Sequence, residues 1–117
     1  MSDNPAFDVH VCLGCPGGEA LCHALSAVFA GRTGLGGARV AGYSCLGGCS
    51  RRGRVSIAAN GRWSWLFGGI VAGQSSALAD FAALWLQEVD GLVPRPKRPE
   101  AVRNLIIGRL PPPGEEG

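Results

Sequence analysis

Between Phe7 and Tyr43 the chain reads as a strand, a helix and a second strand. Phe7, Val9 and Val11 alternate with Asp8, His10 and Cys12, the pattern of a half-buried strand. Leu13 to Gly18 is a turn containing Gly and Pro. From Glu19 to about Ala30, Leu21, Ala24, Leu25 and Val28 recur on one helical face with Phe29 on its flank, and Gly31 stops the helix. After a loop from Arg32 to Gly37, Ala38 to Tyr43 reads as a second strand. A strand, a helix and a strand in this order close by a right-handed crossover, so the two strands lie parallel. Their C-terminal ends then share one edge of the sheet.

Each of those ends runs into a pair of cysteines. The first pair is Cys12-Leu13-Gly14-Cys15 and the second is Cys45-Leu46-Gly47-Gly48-Cys49. Two sulfurs on one short loop reach a single metal ion. Two such loops hold either one ion or one iron each of a two-iron cluster. Soft thiolates in a set of four suit zinc or iron–sulfur chemistry. The helix that begins near Glu19 turns its positive dipole end back toward the first loop, which favours thiolate over thiol. The candidate ligands are therefore Cys12, Cys15, Cys45 and Cys49. Cys22, in the first turns of the helix, reads as a small buried hydrophobe.

The rest of the chain supplies the scaffold. Arg54 to Ala59 reads as a strand, Asn60-Gly61 as a hairpin turn, and Arg62 to Phe67 as the returning strand. A second helix is predicted from about Ser76 to Val89, with Leu78, Phe81, Ala82, Trp85 and Val89 in its stripe. Asp90 to Pro99 is extended and punctuated by proline. A short helix is predicted from Pro99 to about Ile107, with proline in its first turn. The expectation is one thioredoxin-like α/β domain over residues 1–110, β-α-β-β-β-α in type. It has a four-stranded mixed sheet with flanking helices, and residues 111–117 form a loose tail.

Composition narrows the function classes. Apolar residues make up 46% of 117, enough for one core, but no apolar run approaches the roughly 18 residues that a membrane helix needs. Met1 to Pro5 is polar and lacks the basic and apolar regions of a signal peptide, so a cytoplasmic protein is expected. Cysteines in that setting point to metal or redox chemistry rather than disulfides. A net charge of +2 makes no case for nucleic acid. The basic residues nevertheless cluster at Arg51, Arg52, Arg54 and Arg62, and again at Arg95, Lys97 and Arg98. These clusters are either solvated surface or a docking face for an acidic partner.

With the strands and cysteines placed, the chain resembles the thioredoxin-like 2Fe–2S ferredoxins. Its wider pattern is similar to a small family of predicted metal-binding proteins often encoded with cobalamin-synthesis genes. The resemblance is carried by Val11-Cys12-x2-Cys15, Ala41-Gly42-Tyr43-Ser44-Cys45-Leu46-Gly47-Gly48-Cys49, Trp63-x-Trp65-x-Phe67-Gly68, Asp90-Gly91-Leu92-Val93-Pro94 and Arg98-Pro99. It implies a 2Fe–2S cluster on Cys12, Cys15, Cys45 and Cys49, and an electron carrier rather than an enzyme. It further implies a redox partner protein, a setting in corrinoid or metal metabolism, and a homodimer. Such ferredoxins separate their first two ligands by more than two residues, which keeps Cys22 open as an alternative to Cys15.

Two other readings compete. The same spacing permits a zinc site, structural or metal-delivering. Cys12-x2-Cys15-Pro16 between strand and helix also suits a thiol oxidoreductase, but no proline stands between Pro16 and Pro94 to face that motif. His10 and His23 are expected to be structural or surface residues. Gly31 to Gly37 lacks the Lys-Ser/Thr ending of a phosphate loop, and no Ser/His/Asp set stands out.

Overall fold

The computed structural model describes residues 6–14, 17–43 and 53–112. Strand β1 (Phe7–Cys12), helix α1 (Gly18–Gly31) and strand β2 (Ala38–Tyr43) form the expected parallel unit, with Phe7 opposite Ala38 and Cys12 opposite Tyr43. β3 (Val55–Ala58) pairs antiparallel with β1 on its other side, and β4 (Ser64–Phe67) pairs antiparallel with β3. Helix α2 follows as Ser75–Gln87, and α3 is a single turn, Glu100–Arg103.

The chain then departs from the predicted four-stranded sheet. Ile106–Leu110 is a fifth strand, β5, antiparallel to β4, where the sequence pattern extends a helix to Ile107. The cause is twofold. Ile106 and Ile107 are β-branched and lose rotamer freedom in a helix. The outer edge of β4 also offers unpaired backbone groups that β5 satisfies. The sheet order is β2-β1-β3-β4-β5.

One face of the sheet carries the core. Phe7, Val9, Val11, Val55, Ile57, Trp65 and Phe67 are buried with Leu21, Leu25 and Phe29 of α1 and Leu78, Phe81, Ala82 and Trp85 of α2. Phe7 meets Phe29 and Trp85 edge-on at 5.8 and 5.4 Å, and Phe81 meets Trp65 and Phe67 at 5.1 Å. Such pairs add to the burial of large rings. Val89, expected at the end of the α2 stripe, is exposed, because the helix stops at Gln87. The opposite face carries the half-buried Asp8, His10, Ser56, Ala58, Ser64 and Leu66. No helix among the described residues is long and apolar enough to cross a membrane.

Candidate metal centre

Cys12 is buried at the end of β1, and three segments close around its backbone. On one side Leu13 N donates to Tyr43 O at 2.7 Å; on the other Cys12 N donates to Arg54 O at 3.0 Å. Tyr43 and Arg54 flank the stretch that bears Cys45 and Cys49. The sheet order thus places the two stems of the second cysteine segment on either side of the first cysteine. The third segment is the start of α1. A Cβ on Gly18 would overlap the Cys12 carbonyl oxygen, so this helix end approaches β1 as only glycine permits. The positive end of α1 therefore abuts the Cys12–Leu13 backbone, where it favours negative charge.

Two more glycines fit the same corner. The Leu13 side chain lies on Gly42, where a Cβ would come within 2.5 Å of Leu13 Cδ1. Gly53 has φ 72° and passes against the Ile70 backbone, with Ile70 N donating to Gly53 O at 3.2 Å. Glycine permits close approach at such positions. Here the approach is to neighbouring backbone and to Leu13.

Of the predicted ligands, the structure places Cys12. Cys15, Cys45 and Cys49, with Arg51 and Arg52, lie outside the described residues. Cys22 is half-buried one turn into α1 and packs against the core. Among the described residues no three His, Cys, Asp or Glu side chains gather as a metal site. His10 sits on β1 with Nδ1 3.1 Å from Ser56 Oγ and its ring edge-on to Tyr43 at 5.1 Å. His23 is exposed on α1. Tyr43, next to Cys12 and exposed, is a feature that the strand pattern alone did not single out.

The stretch from Asp90 to Val93 has a structural task. Trp63 N donates to Asp90 O at 2.9 Å, Trp65 Nε1 donates to Gly91 O at 2.7 Å, and Leu92 N donates to Asp90 Oδ1 at 3.0 Å. Gly91 has φ 79°, and a Cβ there would lie 2.8 Å from Trp85 Nε1. The segment therefore clamps the indoles of β4 and α2 and fixes the sheet that carries the cysteine end.

The chain belongs to the family described as Protein of unknown function (DUF1636), whose profile matches residues 9–112. The matched span includes both cysteine pairs and the Asp90 segment. Its architecture is similar to that of a thioredoxin-like [2Fe-2S] ferredoxin from Aquifex aeolicus, with a TM-score of 0.64 and 16% identity over 96% of this chain and 99% of that one. The fold is therefore thioredoxin-like α/β, with a five-stranded mixed sheet. No curated protein matches this chain.

Proposed function

We propose that this protein holds a 2Fe–2S cluster on Cys12, Cys15, Cys45 and Cys49 and serves as a one-electron carrier. The observation that supports the reading most is the position of Cys12, clasped between the stems of the segment that bears Cys45 and Cys49. The Aquifex ferredoxin, alike in fold, is a [2Fe-2S] protein by its description. When bound, the cluster takes up and releases single electrons within a thiolate cage. The chain's part is to present Cys12 from the buried end of β1, to exclude water around it, and to lay the positive end of α1 against its backbone. The setting we assign is corrinoid or other metal metabolism, with a separate redox partner.

The test is anaerobic purification followed by an absorption spectrum and assays of iron, sulfide and zinc. A red-brown protein with about two irons and two sulfides per chain is expected. A colourless protein holding about one zinc ion would replace this reading with the zinc one.

A further inference from the structure

Three separate parts of the chain bring arginines together near β5. Arg95 and Arg98 come from the turn after Pro94, Arg103 from α3 and Arg109 from β5. The Arg98 guanidinium lies over the Trp65 ring, 5.0 Å from its centre. That of Arg109 lies 5.7 Å from the same ring and 5.6 Å from Trp63. Arg103 Nη2 donates to Arg98 O at 3.1 Å.

Stacking on indole accounts for Arg98 and Arg109. It does not account for Arg95 and Arg103, which are exposed and touch neither ring. Burial, and after it the charges of Arg95, Arg109 and Arg103, lower the pKa of Arg98 from its ordinary value, so these cations repel one another at close range. Two arginines elsewhere meet carboxylates: Arg32 pairs with Asp80, and Arg39 with Asp8 at 2.7 Å. Among the described residues no carboxylate pairs with Arg95, Arg98, Arg103 or Arg109, and Glu88 is engaged by Lys97 at 3.6 Å.

The observations thus describe a positive surface, mutually repelling and, among the described residues, without a paired carboxylate, that an external anion would relieve. Its charges stand on three elements and are mostly exposed. A run of carboxylates offers several counter-charges at once, and each guanidinium offers a fork matched to a carboxylate. Stacking holds Arg98 and Arg109 in place in advance, which reduces the entropy lost on docking. The whole chain carries a net charge of only +2, which disfavours nucleic acid. We propose that this arginine face is a docking surface for an acidic segment of a partner protein. It does not rest on the cluster reading. β5 is separated from β1 by β3 and β4, three strand spacings or about 14 Å, so a partner held there leaves the cysteine end open.

The probe is a fluorescein-labelled hexaglutamate peptide, titrated into the purified full chain and followed by anisotropy and by tryptophan emission. Saturable binding that weakens as salt rises is expected. It should move tryptophan emission, because Trp63 and Trp65 lie under the arginines. Charge reversal in an Arg95→Glu/Arg103→Glu double variant should weaken it by about tenfold or more. Arg95→Gln/Arg103→Gln provides the same reading should the reversal disturb folding. Equal affinity of the variants and the parent overturns the proposal, as does absence of saturable binding. Displacement of the peptide by inorganic phosphate or a DNA duplex at lower concentration than by unlabelled hexaglutamate also overturns it.

Discussion

At residue 18, helix propensity and packing oppose each other. Alanine is better than glycine inside a helix by about 1 kcal/mol. Here the added methyl would overlap the Cys12 carbonyl oxygen and lie 3.0 Å from Leu13 Cα, and backbone cannot swing aside as a side-chain tip can. Overpacking of this kind costs about 1–3 kcal/mol, so packing wins. Gly18→Ala is therefore expected to lower stability in urea unfolding, and a stabilised variant would show that α1 does not press on β1. The ligand set is testable in the same corner. Cys12→Ser, Cys15→Ser, Cys45→Ser and Cys49→Ser should each lose or distort the cluster spectrum, while Cys22→Ser should keep it at a modest packing cost. Loss in Cys22→Ser with retention in Cys15→Ser would exchange the two residues' roles. At Asp8, the hydrogen bond from Arg39 holds the carboxyl below the usual carboxylate range; the charges of Arg39 and His10 act in the same direction, and burial opposes them. A depressed native pKa stabilises the fold fully above the unfolded value, about 3.9, and that contribution disappears as pH falls through the native value. The pair is exposed, so the effect is small. Asp8→Asn should flatten the acid limb of the urea midpoint against pH, and an acid limb identical to the parent's would mean that the pair adds nothing.

Elements were legible where one period dominates and illegible where a neighbour decides. β1 has the bounds that the alternation predicts, and α1 differs from its predicted span by about a residue at each end, because burial on one face is written in the spacing; β2 also has its expected bounds, although none of its residues is buried. β5 was not, because its strand character comes from the free edge of β4, far away in sequence. The hairpin signal at Asn60-Gly61 marks a real turn, with Gly61 at φ 77°, but pairing begins only at Ile57 and Trp65, so the connection is longer than two residues. Around the cysteines, the strand ends could be read from the pattern, whereas the contacts of Gly18, Gly42 and Gly53 join residues distant in sequence and carry no local period. The Asp90 segment shows the same limit: its motif is conspicuous in the sequence, but its task depends on Trp65 meeting Gly91. Trp65→Phe keeps most of the ring and leaves the Gly91 carbonyl without its indole partner. A buried acceptor so orphaned costs about 1–3 kcal/mol, which urea unfolding should register. A loss well below 1 kcal/mol would mean that water replaces the indole at Gly91.

For the molecule as a whole, the sheet order divides the domain into two ends with different dependence on a ligand. Among the described residues, the edge at Cys12 carries the end of the β1–β2 ladder and the backbone bonds from Leu13 to Tyr43 and from Cys12 to Arg54, beside an approach that needs three glycines. The far side is held by the Phe81, Trp65 and Phe67 rings, the Gly91 clamp and the β4–β5 ladder, none of which involves a cysteine. Local opening free energies differ in this way within one domain, and a bound group stabilises the units that it joins. Cluster loading should therefore slow amide exchange at Cys12, Leu13 and the first turn of α1, and leave Trp65 and Leu66 nearly unchanged under conditions where local opening governs exchange. Native-state hydrogen exchange on the anaerobic loaded protein and on the same protein after chelation measures both regions in one experiment. Uniform slowing across the sheet would show that the domain opens only as one unit. Slowing confined to β4 and β5 would place the ligand at the wrong end, and the assignment of Cys12 to the centre would fail with it.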